Sequence, residues 1–197
     1  MAEGPDISPI LNLLEDVRDA GRCAEAAAAL RVLSQLRPEN LQVKAALARA
    51  LFGAGLWQGA WDAYEVRFDL MPEVFTKVTR PGPNGPEAMP IWRGGALPES
   101  LLVMGEQGLG DTIQFARFLP MLRARGVRVH AVLDPRVMKL LAPVLEGIDA
   151  RPGGEAGRIH GVKAWLPLLN LPRALGLRPQ YYQGRIPYLA AEPERVA

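Results

Sequence analysis

The sequence predicts an α-helical unit followed by an α/β unit built on a parallel sheet, and three observations carry that expectation. Residue types between positions 20 and 39 recur 34 positions later. A stretch rich in proline and glycine then breaks all helical periodicity. Beyond it come a short apolar run, a glycine-rich turn and a helical pattern, the order of a strand–loop–helix unit.

Ala20-Gly21 returns as Ala54-Gly55, and Leu36-x-Pro38-Glu39 as Leu70-x-Pro72-Glu73, both at an offset of 34. Ala26 and Ala29 fall on Ala60 and Ala63 at the same offset, and Leu30 falls on Tyr64. That spacing is the tetratricopeptide period. The glycine closes the first helix of a hairpin, where φ is positive. Small alanines let paired helices approach, and the proline stops the second helix. Helices are expected over 7–20, 23–37, 41–54 and 57–70. The third shows an apolar stripe of Val43, Ala46, Leu47, Ala50 and Leu51. Residues 1–76 thus read as tetratricopeptide-like helical repeats. Two units match where about three make a stable solenoid, so the array either docks on the α/β part or descends from a longer one. It is either a packing unit or a concave docking surface for a protein or peptide.

Residues 77–98 read as a connection. Pro72, Pro81, Pro83, Pro86, Pro90 and Pro98, with Gly82, Gly85, Gly94 and Gly95, predict a stiff, extended chain with no long regular element. Ile91-Trp92 are expected to anchor it. A Rossmann-like parallel-sheet domain then fills 99–190. Leu101-Leu102-Val103-Met104 suits a buried parallel strand. The turn Gly105-Glu106-Gln107-Gly108-Leu109-Gly110 leads into a helix with Ile113, Phe115, Ala116, Leu119 and Leu122 for a core face. Pro120 divides that helix and Gly126 ends it. Residues 127–133 alternate as a second strand. Asp134-Pro135, an N-cap and a first-turn proline, opens a helix through Leu145. Weaker signals place strands near 148–151 and 162–166 and a helical turn at 171–175.

The glycine turn has the Walker spacing, but Asp111 stands where lysine belongs. A carboxylate there repels a phosphate charge 4 Å away by about 4 kcal/mol at an effective dielectric of about 20. That charge argues against ATP hydrolysis. Gly105, Gly108 and Gly110 miss the G-x-G-x-x-G dinucleotide spacing, and Asp134 is better explained as an N-cap than as a ribose ligand. Asp111 has two readings. Asp111-x-x-Gln114 fits a capping box. Alternatively, a carboxylate at the carboxyl end of the first strand lies where open α/β sheets keep ligand clefts, and takes a proton from an acceptor hydroxyl.

The 23 basic and 21 acidic side chains give a net charge of +2 without clustering, which excludes a nucleic-acid backbone as partner. Apolar runs are too short to span a bilayer, and no signal segment opens the chain, so a cytoplasmic location is expected. Cys23 has no internal partner and reads as a small core residue. His130 and His160 are assigned no role. No Cys/His/carboxylate spacing suggests a metal, and no serine elbow is present.

Tyr64-Glu65-x-Arg67, Trp92-x-Gly94 with Leu97, and the run Leu101–Pro120 resemble the bacterial tetratricopeptide-repeat glycosyltransferases. Leu169-x-Leu171-Pro172-Arg173-Ala174-Leu175-Gly176 and Ile186-Pro187-Tyr188-Leu189 continue the likeness. These enzymes belong to the two-domain GT-B class and are akin to lipopolysaccharide heptosyltransferases. The resemblance implies that this chain is the N-terminal, acceptor-side half of a GT-B fold. Asp111 is then the candidate general base of an inverting sugar transfer. Glu106, Gln107, Gly108, Leu109, Gly110, Thr112 and Gln114 line the acceptor site, with Gly108 and Gly110 allowing close approach. The resemblance implies no metal and no cofactor besides a nucleotide-sugar donor, and a protein or glycan acceptor presented by the repeats. The segment before Pro167 departs from the pattern, reading Lys163-Ala164-Trp165 in place of a more polar stretch. In this class a second α/β domain holds the donor, and 191–197 resemble the start of the linker to it. On that expectation the chain alone does not turn over. The alternative is a non-enzymatic adaptor that binds a protein partner through its helical repeats.

Overall fold

The structure, a computed structural model, describes residues 5–75, 78–82, 84–106, 108–153, 159, 161–178 and 188–190. The chain divides into two compact units, Met1–Phe75 and Thr76–Ala197.

The first unit is all helical: α1 (Ser8–Asp19), α2 (Cys23–Leu36), α3 (Leu41–Gly53), α4 (Trp57–Tyr64), α5 (Arg67–Leu70) and α6 (Pro72–Phe75). Consecutive helices from α1 to α4 pack on one another. Ala26, Ala27, Leu30, Val43, Ala46, Ala50, Leu51 and Ala60 form the shared core. The 34-residue offset of the sequence reappears in the hydrogen bonds. Arg22 N donates to Val17 O and Gly21 N to Arg18 O, and the same pair of bonds runs from Leu56 to Leu51 and from Gly55 to Phe52. Both are Schellman closures, and Gly21 and Gly55 take φ of 81° and 70°. Asn40 then caps α3 by accepting from Val43 N at 3.0 Å. Cys23 is half-buried against α3, where a Cβ on Gly53 would lie 2.6 Å from its sulfur.

The fourth expected helix differs: it divides after Tyr64. Glu65 and Val66 have ψ of −21° and −23°, and Phe68 N donates to Glu65 O, a three-residue step. Arg67 supplies the physical reason. Its guanidinium donates to the Tyr64 carbonyl at 3.4 Å, the acceptor that Phe68 N uses in a regular α-helix. Arg67 is buried, and its guanidinium lies over the rings of Tyr64, Phe68 and Phe75, 4.4, 4.7 and 5.5 Å from their centres.

The second unit opens with a hairpin where an extended connection is expected. β1 (Thr79–Gly82) pairs antiparallel with β2 (Gly85–Ala88), and Pro81 sits opposite Pro86. Both strands are edges, so a missing N–H on each is tolerated. Residues 89–92 then join the main sheet. Trp92 N donates to Trp165 O and Trp165 N to Pro90 O, at 2.8 and 3.0 Å.

That sheet comprises β3 (Ser100–Met104), β4 (Arg128–Leu133), β5 (Asp149–Pro152) and β6 (Trp165–Pro167) in the order β5-β4-β3-β6, all parallel. Between them run α7 (Leu109–Ala116), α8 (Leu119–Ala124) and α9 (Pro135–Leu145). α10 (Leu171–Ala174) follows a 3-10 turn at Leu168–Asn170. Pro120 divides α7 from α8 and Gly126, with φ of 83°, closes α8, as the sequence predicts. On one face of the sheet the register aligns Val103 with Ala131 and Leu166, and Leu101 with Val129, all buried. The row Leu102, His130, Asp149 lies on the other face. Among the described residues no helix is long and apolar enough to cross a membrane.

Candidate functional site

The strand order fixes where a cleft forms. From β3 the chain crosses to β4 and on to β5, whereas β6 lies on the opposite side of β3. β3 thus has β4, to which its own connection runs, on one side and β6 on the other, and the carboxyl end of such a strand is where open α/β sheets keep a crevice. Two segments border it: the glycine loop after β3 and the 3-10 turn after β6. They are tied together, since Glu106 Oε1 accepts from Leu169 N at 3.3 Å.

Gly105 N donates to Val132 O at 2.8 Å, which prolongs the β3–β4 ladder by one residue. Gly108 is the N-cap of α7, with φ −63° and ψ 168° and no side-chain cap. α7 thus starts at Leu109, two residues before Asp111, and the capping-box reading of Asp111 is corrected. The reason is local: the Gly108 carbonyl already accepts from Thr112 N at 3.0 Å, so the helical ladder begins there. Asp111 is the third helical residue, half-buried in the first turn. A carboxylate in a first turn still gains about 0.3–1 kcal/mol from the helix dipole.

The other candidate residues separate into two groups. Thr112 is 2% exposed, and its hydroxyl donates to the Gly108 carbonyl at 3.2 Å, bracing the loop from behind. Glu106 is engaged by the 3-10 turn. Gly108, Gly110 and Gln114 are exposed and Leu109 is half-buried; Gln107 lies outside the described residues. A Cβ on Gly110 meets nothing within 4 Å, and one on Gly108 meets only Asp111 Oδ2 at 3.8 Å. Neither glycine has a positive φ. The fold therefore requires glycine at neither position. What the two residues provide is a close approach to backbone N–H groups at a helix start, suited to neutral, strongly polar oxygens because the Asp111 carboxylate beside Gly108 repels an anion.

Two further polar residues escaped the sequence reading. Asn170 is buried in the turn beside the loop, and Arg117 Nε donates to Gln114 O at 2.8 Å at the far end of α7. An asparagine between Leu169 and Leu171 carries no motif, so only the sheet order brings it to this edge. Trp165 occupies β6, buried, with its indole donating to Met89 O at 3.0 Å, which explains the apolar departure before Pro167.

Asp134 caps α9, accepting from Arg136 N at 2.9 Å. The Arg136 guanidinium, bonded to both carboxylate oxygens, holds its carboxyl down at about 2. Away from the crevice, His130 Nδ1 lies 2.9 Å from Asp149 Oδ2. Arg151, then His130, hold the Asp149 carboxyl below its ordinary range. His160 lies outside the described residues, and among those described no group of three or more His, Cys, Asp or Glu could hold a metal. Comparisons with protein-family models, curated proteins and solved structures find no match for the chain.

Proposed function

We propose that the chain is the acceptor-side portion of a glycosyltransferase of the GT-B kind, moving a sugar from a nucleotide-sugar donor to a protein or glycan acceptor. The observation that carries the reading is the glycine loop with Asp111, set at the carboxyl end of β3, which lies between β4 and β6. In this reading Gly108 and Gly110 admit the acceptor, and the first-turn N–H groups of α7 orient its oxygens. Asp111 takes the hydroxyl proton as that oxygen attacks the anomeric carbon, and the nucleoside diphosphate leaves on the opposite face. Glu106 and Thr112 position the loop and do not contact the sugar. The helical unit is a tetratricopeptide-like array that presents the acceptor, and the protein works in the cytoplasm.

Nucleotide-sugar turnover by the intact gene product tests this reading. Release of nucleoside diphosphate that depends on an added glycan or peptide acceptor supports it. The second reading, a non-enzymatic adaptor, is favoured by apolar side chains left exposed on α2, Val32 and Leu36. No turnover with any donor, together with partner capture by residues 1–76 alone equal to that of the whole chain, decides for the adaptor. Absence of capture by residues 1–76 removes it.

A further inference from the structure

The far end of α7 is fastened by a residue from much later in the chain. α7 stops at Ala116, and its last-turn carbonyl of Phe115 is taken by Phe118 N in a three-residue step. Arg117 Nε takes the Gln114 carbonyl, and the hydroxyl of Tyr188, 75 positions away, donates to the Ile113 carbonyl. The same Arg117 guanidinium lies over the Tyr188 ring, 4.5 Å from its centre, a cation–π contact. Tyr188 is half-buried there, and burial pushes its hydroxyl above its ordinary value of 10. Hydroxyl, ring and guanidinium thus close on one helix end.

We propose that Tyr188 is a positioning residue, a latch that holds α7 and through it the glycine loop. α7 has eight residues, a rod of roughly 12 Å, with Asp111 in its first turn and the latch at its last. Between Ala116 and Leu119 the chain passes through three-residue steps, Phe118 N to Phe115 O and Met121 N to Phe118 O, so α7 and α8 are not one continuous α-helix. With Tyr188 in place the rod is pinned at its carboxyl end as well as by the Thr112 bonds to Gly108. Without it, the first turn and the loop move together. The value of this control rests on the reading of α7's first turn as the working end; the mechanical coupling does not.

Hydrogen–deuterium exchange on the whole chain tests the latch. In Tyr188→Ala the amides of residues 109–116 exchange about three- to tenfold faster, the range that loss of a hydrogen bond gives to a local opening. Tyr188→Phe, which keeps the ring on Arg117, gives a smaller rise over the same residues. Rates in β4 and α9 stay as in the parent chain. Unchanged exchange over 109–116 in Tyr188→Ala overturns the latch. So does a rise spread equally over β4 and α9, which reports general destabilisation. Faster exchange over 109–116, with no sugar transfer by the intact gene product, leaves the latch standing and sinks the glycosyltransferase reading.

Discussion

Single residues here separate into those the fold demands and those it does not. Gly94 belongs to the first kind. Its φ is 104°, and a Cβ would lie 2.9 Å from the Ala174 carbonyl oxygen, an atom of the backbone. Gly94→Ala is expected to cost about 1–3 kcal/mol, seen as a lower urea midpoint. Gly110 is the opposite case: Gly110→Ala leaves stability unchanged or slightly raised and acts only on whatever approaches the loop. Asp134 gives a pH signature. Its carboxyl sits at about 2 against an ordinary 3.8, chiefly through the Arg136 side chain, so the unfolded chain binds this proton more tightly. Its stabilising contribution is whole above the unfolded value and fades as pH falls from there through 2. Asp134→Asn is therefore expected to flatten the acid limb of stability against pH. Tyr188 runs the other way: its raised hydroxyl keeps its contribution below pH 10 and loses it as pH climbs through the raised value. The tyrosinate absorbance of Tyr188→Phe lacks that late-titrating step.

Elements were legible in the sequence wherever a local signal sets them. The Schellman glycines, Asp134-Pro135 and Pro120 each act within one turn of chain, and the helices and strands they delimit lie within a few residues of expectation. The misreadings have non-local or side-chain causes. The hairpin β1–β2 was hidden because its prolines argue against strands everywhere except on a two-edged pair. The division of the fourth helix depends on where the Arg67 guanidinium lies, which no periodicity records. Arg67→Met is expected to return the Tyr64 carbonyl to Phe68 N and give one helix over 57–70, visible in backbone carbon shifts. Stability falls by about 1–3 kcal/mol as the stacked cation is lost. A break that persists in Arg67→Met assigns the 3-10 step to another cause. α7 starts three residues before the point that a capping box at Asp111 implies, because a glycine N-cap has no side chain to announce it.

At the scale of the molecule, the sequence period and the strand order carry different weight. The 34-residue offset survives as two equivalent pairs of helix-closing hydrogen bonds, after α1 and after α3. The order β5-β4-β3-β6 was not legible, because parallel register is settled by contacts between distant segments. Yet that order sets the glycine loop beside the turn after β6, and so brings Asn170 and the Glu106–Leu169 bond to it. Asp111 could be singled out from spacing alone, but its standing as a first-turn residue, and not the cap, needed the structure. That leaves its carboxylate uncommitted to capping and sharpens the central claim. The most direct test is Asp111→Asn in the intact gene product, with thermal midpoint and sugar-transfer kinetics measured on the same preparation. A general base predicts kcat reduced about 10²- to 10⁴-fold, acceptor KM little changed, and a thermal midpoint lower by no more than the dipole contribution allows. Unaltered kcat would contradict the assignment and leave Asp111 as a stabiliser of the first turn of α7.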